Sequence, residues 1–429
     1  MNTRCIWAKT ARDADVIVIG GGAAGMLAAL RAGESGARVI VLERNEKLGK
    51  KIYITGKGRC NVTNTADFED FFRQIPHNPR FLNAAIRSFS NQDLMALLET
   101  LGLSLKEERG GRVFPQSDKA SDVTRTLERG MRQAGVQVRL NARVKALDAD
   151  ENGVTGVILE SGETLCAPCV IVATGGCSYP STGSTGDGYA FASAMGHTVE
   201  MPRSSLVGLL TREEWPRQLT GLSLRNVRLS AQWGKKKVFD QLGEMLFTHF
   251  GVSGPLVLEL SSDIDRQPME EIEVSIDLKP GLTPEQVDKR LQREFEANTR
   301  KQFSSILPAL LPGKLAEIFP QLCGIAANTP INQITRAQRM ELGALLKRLP
   351  LHLTGFRPIE EAIVTRGGVN VKEITPGTMM SKRVPGLFFA GEVLDVDAHT
   401  GGFNLQIAFS TGALAGMSAA QYALETAEA

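Results

Sequence analysis

Asp15 to Glu43 reads DVIVIGGGAAGMLAALRAGESGARVIVLE, and this stretch decides the fold. After Asp15, residues 16–19 form an unbroken apolar, β-branched run, as expected of a strand buried on both faces of a parallel sheet. Gly20, Gly22 and Gly25 then give G-x-G-x-x-G between a strand and a helix, the context in which that spacing carries chemistry. Gly20 permits the tight turn, Gly22 lets backbone approach a pyrophosphate, and Gly25 lets the helix sit close to the strand. Ala23 and Ala24 open the helix, whose N-terminal N–H groups favour anionic oxygen. A second strand, residues 37–42, ends at Glu43, where a carboxylate can hold a ribose 2′-hydroxyl and would repel a 2′-phosphate. The spacing therefore predicts a βαβ dinucleotide site for the adenosine half of FAD or NAD.

Composition bounds the rest. The 429 residues are 42% hydrophobic, enough for a large core and two or three domains. A net charge of +2 gives no global attraction to nucleic acid or to an anionic membrane. Residues 1–14 lack the apolar region of a signal peptide and read as a flexible leader. Because no apolar run reaches membrane-spanning length, the expected setting is cytoplasmic, away from the bilayer. Six scattered cysteines do not suit a disulfide scaffold. Cys166 and Cys169 form a C-x-x-C, but Pro168 places it at the start of a strand rather than at a helix N-terminus, against a redox pair. No metal site is expected.

Further along, residues 48–64, LGKKIYITGKGRCNVTN, crowd Gly56, Gly58 and Asn61 together. Backbone N–H groups and an amide at that density suit the polar edge of a flavin ring. Apolar residues at helical spacing between Phe81 and Leu101 predict one or two packed helices, and Ser121 is a candidate N-cap for the next. Residues 136–144 and 154–159 read as paired strands around an Asn152-Gly153 turn. CVIVATGG, residues 169–176, is a second buried strand running into glycines, with Cys177 and a loop, residues 179–188, behind it. Short alternating runs over residues 197–276 read as a small β domain. Thr283-Pro284 opens a helical stretch that continues to Leu349, and EEAIVTRGGVN returns to the first domain. GLFFAGE, residues 386–392, is a third buried strand, followed by GGFNLQ, residues 401–406, and an apolar helix.

The βαβ unit followed by TGKGRCNVTN resembles the HI0933-like flavoproteins, a group within the glutathione-reductase-like class of FAD proteins. GRVFPQSDKASDV, residues 111–123, and THFGVSGP, residues 248–255, resemble further blocks of that family, so the likeness runs from Asp15 to about residue 420. The resemblance implies an α/β protein with a Rossmann-like FAD-binding domain of glutathione-reductase type, carrying an inserted small β domain and a helical subdomain. Expected boundaries are 15–196 plus 365–429 for the FAD domain, 197–280 plus 350–364 for the β-rich cap, and 281–349 for the helical insert.

The same resemblance, with the fingerprint, implies non-covalent FAD held by Gly20, Gly22, Ala23, Ala24, Gly25, Glu43, Arg44, Lys51, Thr55, Gly56, Gly58, Arg59, Cys60, Asn61, Val144, Ala173, Thr174, Gly175 and Gly176, and by Gly391, Glu392, Gly402, Phe403, Asn404, Leu405 and Gln406. Glu392 stands where the class carries Asp on the ribitol, one methylene longer. Ala398-His399 stands where relatives commonly carry Gly and an aromatic residue. There is no second fingerprint, so NADH or NADPH would enter only transiently as electron donor. The family implies reduction of a conjugated C=C bond by hydride from flavin N5, with a small-molecule enone or an RNA uridine as acceptor. RNA finds no support in the net charge. His249, Cys60 and His399 are the candidate proton donors. A non-catalytic flavin redox sensor and a flavin-free NAD dehydrogenase are the readings from other classes.

Overall fold

A computed structural model describes residues 12–265 and 267–428. Strand β1 (Val16–Ile19) is buried along its whole length. At 0–5% exposure, each of its four side chains contributes about 1.5–3 kcal/mol by leaving water. It pairs in parallel with β2 (Val39–Leu42) on one side, Val16 opposite Val39, and with Cys169–Val172 on the other, Val16 opposite Cys169. Leu387–Phe389 and Gln137–Arg139 complete a five-stranded sheet at its two edges. The crossover between β1 and β2 is helix α1 (Ala23–Glu34).

The C-terminal helix Phe403–Glu428 lies against α1 at backbone distance. A Cβ on Gly412 would stand 2.3 Å from the Ala24 carbonyl oxygen, and one on Gly416 would stand 2.1 Å from that of Ala28. Glycine at four-residue spacing is therefore what lets the helix carrying the 401–406 motif pack beside the helix carrying the fingerprint.

The chain folds as two compact units, residues 1–205 with 359–429 and residues 206–358. The divisions fall at 205/206 and 358/359 rather than at 196/197 and 364/365, because Val199–Ser205 pairs antiparallel with Val364–Val369 and so joins the first unit. Of the expected leader, residues 1–11 lie outside the described residues. Asp13 and Ala14 are already docked: the Asp13 carboxylate accepts from Cys166 N at 2.8 Å, and Ala14 is fully buried. The first unit also contains a three-stranded sheet of Val144–Asp150, Gly153–Leu159 and Thr164–Cys166. The hairpin turns near Asn152-Gly153 as expected, but its first strand is residues 144–150. Residues 137–139 belong to the parallel sheet instead.

The second unit is built on a seven-stranded sheet whose long central hairpin is Ser223–Trp233 and Lys236–Thr248. Helix Pro284–Ala297 begins at Thr283 with a capping box to Gln286, as Thr-Pro suggests. This helix does not make a separate subdomain. Val287, Leu291 and Phe295 share one core with Leu229, Ile276 and Leu349 of the sheet. One helix start differs from expectation, and the 81–101 stretch forms two helices, within what its apolar spacing predicts. Ala120–Gln133 is preceded by Lys119, with Ser121 inside the helix. Residues 81–101 are split by Ser90, which caps Asn91–Thr100 through a box with Asp93.

Candidate functional site

The site grows from the carboxyl ends of β1, β2 and Cys169–Val172. Gly20 sits against the neighbouring strand end: a Cβ there would meet the Ala173 oxygen at 2.5 Å, and a Cβ on Gly25 would meet the Gly20 oxygen at 1.8 Å. Gly22 differs. It caps α1 with no side-chain cap, and apart from its own chain neighbours and the adjoining helix backbone nothing described lies within 4 Å of where its Cβ would stand. Two glycines thus close the strand–helix joint, and the third leaves the helix N-terminus open to an anion.

Glu43, buried at the end of β2, fastens this loop. Its Oε2 accepts from Gly21 N at 2.7 Å, and its Oε1 accepts from Asn45 N at 2.8 Å and Asn45 Nδ2 at 2.7 Å. A carboxylate has about four acceptor positions, so one remains for a ribose hydroxyl. Arg44 turns away, donating to Thr185 Oγ1 at 2.6 Å and pairing with Asp187. Val144 is buried at the start of its strand, opposite Leu159.

The glycine-lysine loop folds back on itself in the left-handed region, with φ of 56° at Gly56, 58° at Lys57, 87° at Gly58 and 62° at Cys60. For Lys57 and Cys60 that conformation costs on the order of 1–3 kcal/mol each, a load typical of ligand-holding loops. Thr55 supports the loop from within, its hydroxyl donating to the Ile52 oxygen and its carbonyl accepting from Cys60 N. Asn61 Oδ1 is buried with no hydrogen-bond partner among the described residues, as is Thr174 Oγ1 in the turn after Cys169–Val172. A buried acceptor left open costs about 1–3 kcal/mol, which a bound donor would recover. With the open cap at Gly22, these groups fit a dinucleotide that carries a hydrogen-bonding ring.

Lys51 reaches across the unit. Its Nζ lies 2.7 Å from Glu392 Oε2 and donates to Ser178 Oγ at 2.6 Å. The Ser178 hydroxyl donates to Glu392 Oε1 at 3.1 Å, and Thr365 N donates to the same oxygen at 2.8 Å. Glu392 is therefore the knot joining the 48–64 loop, the 175–178 turn, strand 364–369 and Gly391.

Other expected binding residues hold the protein together. Arg59 lies over the Phe114 ring at 4.1 Å and pairs with Glu108 at 2.7 Å, so its charge is used there. Gln406 is fully buried, accepting from Thr63 Oγ1 at 2.7 Å and donating to Ser410 Oγ at 2.9 Å. The Asn404 amide closes its own loop, donating to Ala398 O at 2.6 Å and accepting from Ala398 N at 2.9 Å. Phe403 packs edge-on against Phe71. Gly401, Gly402 and Leu405 remain half-exposed at the helix start. Asn64 ties Gly401 to the first loop, donating to its oxygen at 3.0 Å.

The proton-donor candidates separate clearly. Cys60 is fully buried, and burial pushes its thiol up to about 12, so it is a neutral group rather than an acid in exchange with substrate. His399 is buried, its Nδ1 3.3 Å from Gln74 Oε1. His249 belongs to the second unit, exposed in the turn between Lys236–Thr248 and Gly251–Ser253, its ring edge-on to Phe250. Cys169 is a free thiol donating to Ala419 O at 3.4 Å, so it is not paired with Cys166. Among the described residues, no group of three or more His, Cys, Asp or Glu could hold a metal, and no helix is long and apolar enough to cross a membrane.

A strand–glycine–helix unit with an acid at the second strand, a glycine turn across the sheet and a buried C-terminal strand define a Rossmann-like FAD-binding fold. A quinol–fumarate reductase solved with menaquinol molecules shares the architecture at a TM-score of 0.51 and 16% identity, over 96% of this chain and 72% of that one. Residues 14–418 match the HI0933-like protein Rossmann domain, and the chain belongs to that family of FAD-dependent oxidoreductases. It is 34% identical to the 3-dehydro-bile acid delta(4,6)-reductase of Clostridium scindens, over 94% of this chain and 98% of that protein. It is 33% identical to the ribosomal RNA dihydrouridine synthases of Haemophilus influenzae and Escherichia coli, over 92% of this chain and 96% of each. FAD binding is implied by this membership.

Proposed function

We propose that the protein is a reductase of an activated C=C bond in a small molecule, holding FAD non-covalently and taking electrons from NADH or NADPH that enters transiently. One observation carries this reading. Relatives named for two unlike substrates, a bile acid and ribosomal RNA, align over nearly the whole chain, and both names describe addition of two hydrogens to a conjugated double bond. The shared element is therefore the chemistry. FAD, when bound, supplies a hydride from N5 to the electrophilic carbon.

The chain's own part is binding, orientation and the proton. Gly22 and the start of α1 receive the pyrophosphate, and Glu43 takes the ribose. Asn61 and the backbone of the 56–60 loop meet the ring edge. The Lys51–Glu392 knot sets where the ribitol runs, and the start of the C-terminal helix favours negative charge at the ring's N1–C2=O edge. Cys60 excludes water from the ring wall. A small acceptor is favoured over RNA because a net charge of +2 offers little to a polyanion. The RNA relatives keep uridine in ribosomal RNA as the second reading. Anaerobic incubation with NADH or NADPH and either a conjugated enone or unmodified ribosomal RNA tests this, with the product heavier by two hydrogens as readout. Reduction of the RNA alone would transfer the assignment to the second reading. Reduction of neither would leave a redox sensor.

A further inference from the structure

Residues 176–186 form a loop whose two ends meet, Gly186 N donating to Gly176 O at 3.1 Å. The tip is bonded to itself. Thr182 N donates to Tyr179 O at 2.9 Å, Thr182 Oγ1 to the same oxygen at 2.8 Å, and Gly183 N to Pro180 O at 3.0 Å. Gly175 and Gly186 stand at the two ends with φ of 74° and 82°, a conformation that other residues rarely adopt. Joined ends and internal bonds make this an Ω-loop, able to swing on its ends as one body.

The tip reaches beyond the strand that leads to it. It follows Cys169–Val172 yet docks on residues 44 and 45, just after β2, so it bridges the ends of the two strands that flank β1. Asn45 Nδ2 donates to Thr182 O at 3.0 Å and to Glu43 Oε1 at 2.7 Å, which puts the tip one amide away from the carboxylate assigned to the ribose. A Cβ on Gly183 would stand 2.6 Å from the same Asn45 nitrogen. Thr185 Oγ1 makes the outer contact, accepting from Arg44 Nη1 at 2.6 Å and donating to Asp187 Oδ1 at 2.9 Å. Thr185 is exposed, and the Arg44 and Asp187 side chains are 28% and 22% exposed. Contacts this open to water are weak, which suits a latch better than a permanent joint.

We propose that residues 176–186 are a flap over the ribose end of the dinucleotide crevice, latched by Arg44 to Thr185 and by Asn45 to Thr182, and that FAD enters and leaves only when the latch opens. This rests on the assignment of Glu43 to the ribose given above. Both latch contacts lie within the chain, so they hold the flap equally with and without the dinucleotide. Opening then adds the same barrier to capture and to release. The latch sets how fast FAD exchanges and leaves how tightly it binds untouched. Arg44 thereby serves the flap rather than the cofactor.

The test uses the full chain with FAD itself as the probe. Release is read as the rise of flavin fluorescence on diluting the loaded protein, and capture as its quenching when FAD is returned to the stripped protein. Thr185→Val keeps the shape of the side chain and removes the latch hydroxyl. It accelerates release and capture alike, by roughly 2–10-fold, and leaves the dissociation constant nearly unchanged. Arg44→Met does the same, and the double variant is no faster than either single one. Circular dichroism confirms that each variant is folded. Release that quickens while capture does not, or additive effects of the two substitutions, would make Arg44 a cofactor contact and overturn the proposal. Unchanged rates in both single variants would overturn it too. A wild-type protein that takes up no FAD would instead defeat the reading on which the flap rests.

Discussion

Lys51 Nζ and Glu392 Oε2 lie 2.7 Å apart across 341 positions of chain. This contact fastens the loop that follows β2 to the turn that follows the last strand of the parallel sheet. Neither end of the site is positioned alone. The fingerprint half and the C-terminal half share one carboxylate, with Ser178 and Thr365 completing its partners.

Removing one partner of that knot should cost more than removing both. With side chains 23% and 18% exposed, the pair is only part-buried, so Lys51→Met should destabilise by about 1–3 kcal/mol. Lys51→Met with Glu392→Gln should recover part of the loss. Urea unfolding of the four proteins in the double-mutant cycle gives the coupling energy. Strict additivity would show that the contact carries no weight.

The glycines of the fingerprint should fail in different ways. Gly22→Val has room for its side chain in the folded chain and should yield a folded, colourless protein. Gly25→Val would drive a Cβ into the Gly20 oxygen and should lose the fold itself. Flavin absorbance per folded chain, with circular dichroism as the fold control, separates the two. Full FAD occupancy in Gly22→Val would refute the pyrophosphate assignment.

What is legible in the sequence follows from this contrast. Gly20, Gly22, Gly25 and Glu43 can be placed from the sequence because backbone geometry within one βαβ unit demands them. Arg59 and Gln406 cannot, because their partners are set by tertiary packing. Gln406 meets Thr63, 343 positions away, and Arg59 meets Glu108 on another strand. His77 carries no motif, and its segment meets the 395–399 loop through Gln74 and Asn78. The helical stretch 284–347 reads as a separate insert because its amphipathic faces do not say what they cover. In the fold they cover the second unit's sheet.

Cysteine reactivity should follow burial. Cys60 and Cys169 are buried free thiols, each pushed upward by desolvation, Cys60 to about 12. Cys177 and Cys323 are partly exposed. Alkylation of the native protein at mildly alkaline pH, read by peptide mass, should therefore modify Cys177 and Cys323 before Cys60 and Cys169. Early labelling of Cys60 would contradict its burial.

Acid should loosen the 371–384 segment through His197. Its Nε2 is 2.8 Å from Ser381 Oγ and its Nδ1 3.2 Å from Glu373 Oε2. Burial holds the imidazole below its ordinary value of 6.5, outweighing the attraction of Glu373. The unfolded chain then takes up a proton that the folded chain refuses, so stability present above pH 6.5 declines as pH falls through that value. Melting temperatures from about pH 7.5 to 5.5 should show this slope in the wild type and a flatter one in His197→Asn. Identical slopes would remove His197 as the cause.

The most direct test of the whole account is the visible spectrum of the purified protein under strict anaerobiosis, recorded before and after nicotinamide and again after a conjugated enone. The account predicts an oxidised flavin band, its bleaching by NADH or NADPH, and its return on adding the enone with stoichiometric saturated product. A colourless protein, or a bleached flavin that only oxygen restores, would contradict it.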